Sequence, residues 1–101
     1  MKTKRSKACD ISQKVKKIVW ERDNGLCILC NSSNAMPNAH FIPRSAGGLG
    51  IEENIVTLCL DCHRKFDQTT LRPILREKIK KYLARKYENW NEEDLYYKNG
   101  R

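Results

Sequence analysis

The residues of this chain best suited to chemistry are four cysteines and two histidines. Two Cys-x-x-Cys pairs, Cys27 with Cys30 and Cys59 with Cys62, are separated by 28 residues; His40 lies between them and His63 follows directly after. Thiolates suit Zn²⁺, and four of them complete its tetrahedral shell, so paired knuckles at this spacing match structural zinc sites. A closed shell of four sulfurs has no open position, which makes such a zinc structural and not catalytic. The same pairs leave open two redox dithiols, or iron in place of zinc. A fifth cysteine, Cys9, stands in a basic segment with no partner in sequence and reads as an incidental thiol.

His40 sits in the run Asn38-Ala39-His40-Phe41-Ile42-Pro43-Arg44-Ser45-Ala46-Gly47-Gly48. A neutral imidazole can take a proton from water near physiological pH, as a general base must. Arg44 follows within reach of a phosphate, and the glycine pair would let backbone approach a ligand closely. Taken alone, a histidine in an apolar strand is more often a packed or hydrogen-bonded structural residue. Asp67 lies four residues after His63, which on a helix places imidazole and carboxylate one turn apart, on the same face. That pair can offer ligands to a second divalent cation, or make an ordinary hydrogen bond.

The elements that must position these groups can be read from patterning. At 101 residues the chain makes one small domain, of a size for which a metal staple is expected. Residues 1–9 are basic with almost nothing apolar and are expected to form a flexible arm. Asp10 or Ser12 can cap a helix reaching about Asp23, with Ile11, Val15, Ile18 and Val19 on one face; Asn24-Gly25 stops it. Residues 31–38, polar and containing Pro37, read as a loop. Residues 39–43 and 55–58 read as strands, and a short helix from about Cys62 to Asp67 follows the second knuckle. A longer helix over 71–87 tolerates Pro73 in its first turn and buries Ile74, Leu75, Ile79, Tyr82, Leu83 and Tyr87. Residues 88–101 form a tail that either folds back or frays.

Twenty Lys and Arg against twelve Asp and Glu give a net charge of +8, which points to a polyanionic partner, nucleic acid first. No apolar run approaches the ~20 residues of a membrane span. The absence of a secretory pattern and the wish for free thiols suit a cytoplasmic setting.

Taken together, Cys27-x-x-Cys30, the run from Ala39 to Gly48, Asn54, and Leu58-Cys59-x-x-Cys62-His63 resemble the motif of the HNH endonucleases, in the zinc-stapled version found in bacteria and bacteriophages. The likeness covers residues 20–67. It implies an α+β fold with a small ββα-metal core inside a nuclease domain over 10–87, and it implies DNA as substrate, with other bacterial or bacteriophage DNA-processing proteins as associates. By position, His40 would be the general base, Asn54 would brace the loop that orients it, and His63 with Asp67 would bind a catalytic cation such as Mg²⁺. Arg44 would contact phosphate. Ala39 stands where many members of the family carry a ligating Asp, Glu or His. The alternative function is a non-catalytic, zinc-stabilised nucleic-acid-binding module.

Overall fold

The computed structural model describes residues 3–98. The first two residues of the expected arm and the last three of the expected tail lie outside them. The elements run α1 (Lys4–Cys9), α2 (Gln13–Arg22), β1 (Ala35–His40), β2 (Ile55–Cys59), α3 (Leu60–Gln68) and α4 (Arg72–Lys86), with single 3-10 turns at Arg44–Ala46, Glu52–Asn54 and Glu92–Leu95. β1 and β2 form a two-stranded antiparallel sheet, and α3 continues directly from β2. The architecture is the small α+β fold expected.

Ser12 caps α2, its side chain accepting from the Val15 amide. Asn24 and Gly25 both take left-handed backbone, at φ 58° and 66°, and end that helix. Val19 is the fully buried residue of the α2 face. α3 starts at Leu60, earlier than the sequence suggested, because the Cys59 sulfur itself accepts from the Cys62 amide and acts as the cap. In α4, Ile79 and Leu83 are fully buried while Ile74 is 59% exposed. The apolar stripe of that helix is therefore narrower than its periodicity implied.

Four further expectations are corrected. Pro37 does not keep its segment out of the sheet: β1 begins at Ala35, and a register irregularity falls between Met36 and Ala39. A proline lacks the ladder donor, and an edge strand with a bulge is where its absence is tolerated. Phe41, Ile42 and Pro43, expected in the strand, lie beyond its end. Residues 4–9 are not an unpacked arm but a helix capped by Thr3, with Cys9 1% exposed. Gly48 also has a different use. A Cβ on Gly48 would stand 1.8 Å from the Ile42 carbonyl oxygen, so this glycine serves close packing of the chain on itself.

The core joins Ala39, Phe41, Ile42, Val56, Leu58, Phe66, Ile79, Leu83 and Leu95. Residues 88–98 fold back on it. Trp90 donates from Nε1 to the Glu53 carbonyl at 2.8 Å and meets the Phe41 ring edge-on, at 5.7 Å between centroids. Arg22 and Asp23 form a buried ion pair at 2.8 Å. Tyr82 of α4 donates to Asp23 at 2.5 Å, and the Thr57 amide of β2 donates to it at 2.9 Å. One carboxylate thus ties α2, β2 and α4 together.

Candidate active site and metal centre

The four sulfurs of Cys27, Cys30, Cys59 and Cys62 all lie within 4.8 Å of one another, and none is in a disulfide. Cys30 and Cys59 Sγ are 3.6 Å apart. A tetrahedral ion with Zn–S bonds of about 2.3 Å places its sulfurs roughly 3.8 Å apart, so the quartet has the dimensions to hold one metal ion such as zinc. Burial raises the Cys27 thiol, but backbone hydrogen bonds from Cys59, Leu29 and Cys30 outweigh it and bring it down to about 7. Burial and the neighbouring thiols push Cys62 strongly up. Four crowded sulfurs resist shared ionisation, and a divalent cation at their centre would remove that conflict.

The knuckles are built by backbone. The Cys27 amide donates to the Ser32 carbonyl at 2.9 Å, the Asn31 amide to the Cys27 carbonyl at 2.8 Å, and the Ile28 amide to the Thr57 carbonyl of β2 at 3.0 Å. The last bond joins the first knuckle to the strand that leads into the second.

An open cleft of ≈ 570 Å³ is lined by His40, Arg44, His63, Asp67 and Arg72 among others. β1 delivers His40 from its last position, and α3 delivers His63 and Asp67 from one face. His63 Nε2 and Asp67 Oδ2 are 3.1 Å apart. His40 Nε2 lies 2.9 Å from the Cys9 carbonyl oxygen. A carbonyl only accepts, so Nε2 carries the proton and Nδ1 of a neutral ring is left as the basic nitrogen. Burial lowers the His40 pKa from its ordinary 6.5; the charges of Arg44 and His63 act the same way, against the Cys9 carbonyl and Asp10.

Asn54 is fully buried. Its side chain accepts from the Ile42 amide at 2.8 Å and donates to the carbonyls of Ile42, at 3.2 Å, and Leu49, at 2.8 Å. Its own carbonyl accepts from the Phe41 amide at 2.8 Å. The chain immediately after His40 is thus clamped to Asn54, by its backbone at Phe41 and its side chain at Ile42. Ala39, paired with Val56 in the sheet, is completely buried on the core face.

Arg44 is not a free cation. It pairs with Asp10 at 2.6 Å and donates to the Ser6 carbonyl and hydroxyl, each at 3.0 Å, with its side chain 44% exposed. The cleft has a second cation that sequence reading did not single out: Arg72, stacked on the Phe66 ring at 4.5 Å and donating to the Phe66 carbonyl at 3.1 Å. Its place at the first turn of α4 gave no signal among so many basic residues. The Cys9 carbonyl had none either, because a backbone acceptor leaves no trace in side-chain types.

The chain is similar in sequence to known proteins. A protein named Anaredoxin from Nostoc sp. is 34% identical over 61 residues, covering 59% of this chain and 80% of that protein. The sequence profile of the HNH endonucleases matches residues 27–79, from the first zinc-type knuckle to the middle of α4. With more than half its length matched and the two strands, helix and cysteine quartet in place, this chain belongs to the HNH endonuclease family.

Proposed function

We propose that this protein is a metal-dependent endonuclease that hydrolyses DNA phosphodiester bonds. The observation that carries the reading is the His40 hydrogen bond to the Cys9 carbonyl, which leaves a basic nitrogen on a ring that shares its cleft with His63 and Asp67. His40 Nδ1 takes a proton from water, and the resulting hydroxide attacks phosphorus as the bond to the 3′ oxygen breaks. Asn54 holds residues 41–42 and so fixes where the His40 ring stands. Arg44 and Arg72 supply positive charge for the substrate phosphates.

His63 and Asp67 would hold a divalent cation such as Mg²⁺, with water and substrate phosphate completing its shell. Their hydrogen-bonding separation of 3.1 Å suits two donors turned to one point, and no third protein donor is needed where waters remain bound. When bound, the cation supplies charge stabilisation at the phosphate and at the leaving oxygen. The cysteine quartet would hold a structural zinc that ties the first knuckle to the end of β2 and the start of α3.

The test is nicking of supercoiled plasmid by zinc-loaded protein, with Mg²⁺, Mn²⁺ or Ni²⁺ added and with chelator. Cleavage that depends on added cation is expected. Salt-sensitive binding without cleavage under any cation would instead identify a zinc-stabilised nucleic-acid-binding module.

A further inference from the structure

The family profile begins at Cys27, yet the group that fixes the His40 proton lies before it in the chain. We propose that α1 and the residue after it, Asp10, are a positioning element of the active site. The Cys9 carbonyl holds His40 in its Nε2–H tautomer, while Ser6 and Asp10 hold Arg44 against the cleft wall. The inference rests on the reading of His40 as the base.

Separate contacts seat this segment. The Cys9 side chain is buried. The Gly50 amide donates to the Ala8 carbonyl at 3.0 Å. Arg5 Nη2 donates to the Ser45 carbonyl at 3.0 Å, and Arg44 reaches back to Ser6 and Asp10. Helix and cleft loop therefore exchange cations: an arginine from each side binds the other. Without the Cys9 carbonyl, a neutral imidazole would divide between its two tautomers, and part of the population would present a protonated Nδ1 that cannot act as base.

Gly50 makes the approach possible. A Cβ at this position would stand 2.0 Å from the Asp10 carbonyl oxygen and 3.0 Å from that of Cys9. Its backbone is outside the left-handed region, so alanine is allowed locally and the clash falls on the α1 segment. Gly50→Ala is thus a wedge aimed at the contact and not at the zinc cage.

The experiment is long-range ¹H–¹⁵N spectroscopy of the zinc-loaded full chain. Only two histidines are present, and His63→Gln assigns them. Wild-type His40 is expected to show a protonated Nε2 and a bare Nδ1. Gly50→Ala is expected to mix the tautomers and to lower kcat roughly ten- to a hundred-fold with KM little changed, as for a displaced catalytic group. Asp10→Lys, at a side chain 36% exposed, sets like charges against each other and should loosen the same contact without a core clash. Combining it with Arg44→Glu should restore the wild-type tautomer. This pair carries the test if Gly50→Ala does not fold. Mixed tautomers in the wild type, or a wild-type spectrum in both single variants, would overturn the proposal. A fixed tautomer released by the variants, in a protein that cleaves nothing, would support the positioning role and remove His40 as a base.

Discussion

Replacing Asp23 with alanine should strongly destabilise the fold. The side chain is fully buried and accepts from Arg22 Nε at 2.8 Å, Arg22 Nη2 at 3.0 Å, Tyr82 at 2.5 Å and the Thr57 amide at 2.9 Å. Its removal strands an arginine whose side chain is only 11% exposed. Breaking a buried ion pair from one side costs about 3–5 kcal/mol. An orphaned buried amide such as that of Thr57 accounts for about 1–3 kcal/mol of such a loss. At about 4–8 °C per kcal/mol for a domain near this size, Tm should fall by roughly 12 °C or more. Arg22 keeps acceptors at the Glu52 and Ile55 carbonyls, at 2.8 and 2.7 Å, so the fold should survive at low temperature. The assay is urea unfolding at fixed free zinc, since bound metal contributes to stability by mass action. Adding Arg22→Met should cost less than the two single losses combined, because the stranded charge is then gone. A loss below about 1 kcal/mol, the range of an exposed pair, would refute the claim that this carboxylate ties three elements together.

Other outcomes follow from the same geometry. With zinc in the cysteine quartet as proposed, chelation or Cys27→Ser should unfold the domain: structural zinc contributes about 10–16 kcal/mol in small peptides, against about 5–15 kcal/mol for a whole domain. Circular dichroism with metal analysis would show it, and a folded, metal-free protein would contradict it. Because burial lowers the His40 pKa and only the neutral ring accepts a proton, kcat/KM should rise with pH through a limb centred below its ordinary 6.5. A limb centred above that value would count against His40. Arg72→Gln should weaken DNA binding about equally across sequences and reduce the salt slope by about one phosphate contact, measured by fluorescence anisotropy over a salt series. An unchanged slope would place Arg72 outside the phosphate path.

What could be read from the sequence was whatever local chemistry dictates. The cysteine spacing, the Ser12 cap, the Asn24-Gly25 stop and the β-branched run of β2 each act through neighbours a few residues away, and each lies where expected. The placement of His40, His63 and Asp67 in one cleft was available only through the family resemblance. Long-range contacts left no local signature. The Pro37 bulge depends on β1 being an edge strand, and the order of α1 depends on Cys9 finding a buried site. The Arg22–Asp23–Tyr82 network joins residues 59 positions apart that look like ordinary surface polar groups in sequence. Arg44, legible as a phosphate ligand, is already held by Asp10 and Ser6, which composition could not reveal.

The central claim is that His40 generates the nucleophile. Single-turnover cleavage of plasmid DNA by zinc-loaded wild type and His40→Ala, at saturating protein and added Mg²⁺ or Mn²⁺, tests it most directly. Removal of a general base should lower the rate on the order of 10²–10⁴-fold, with DNA affinity and zinc content unchanged. Equal cleavage by the two proteins would contradict the account.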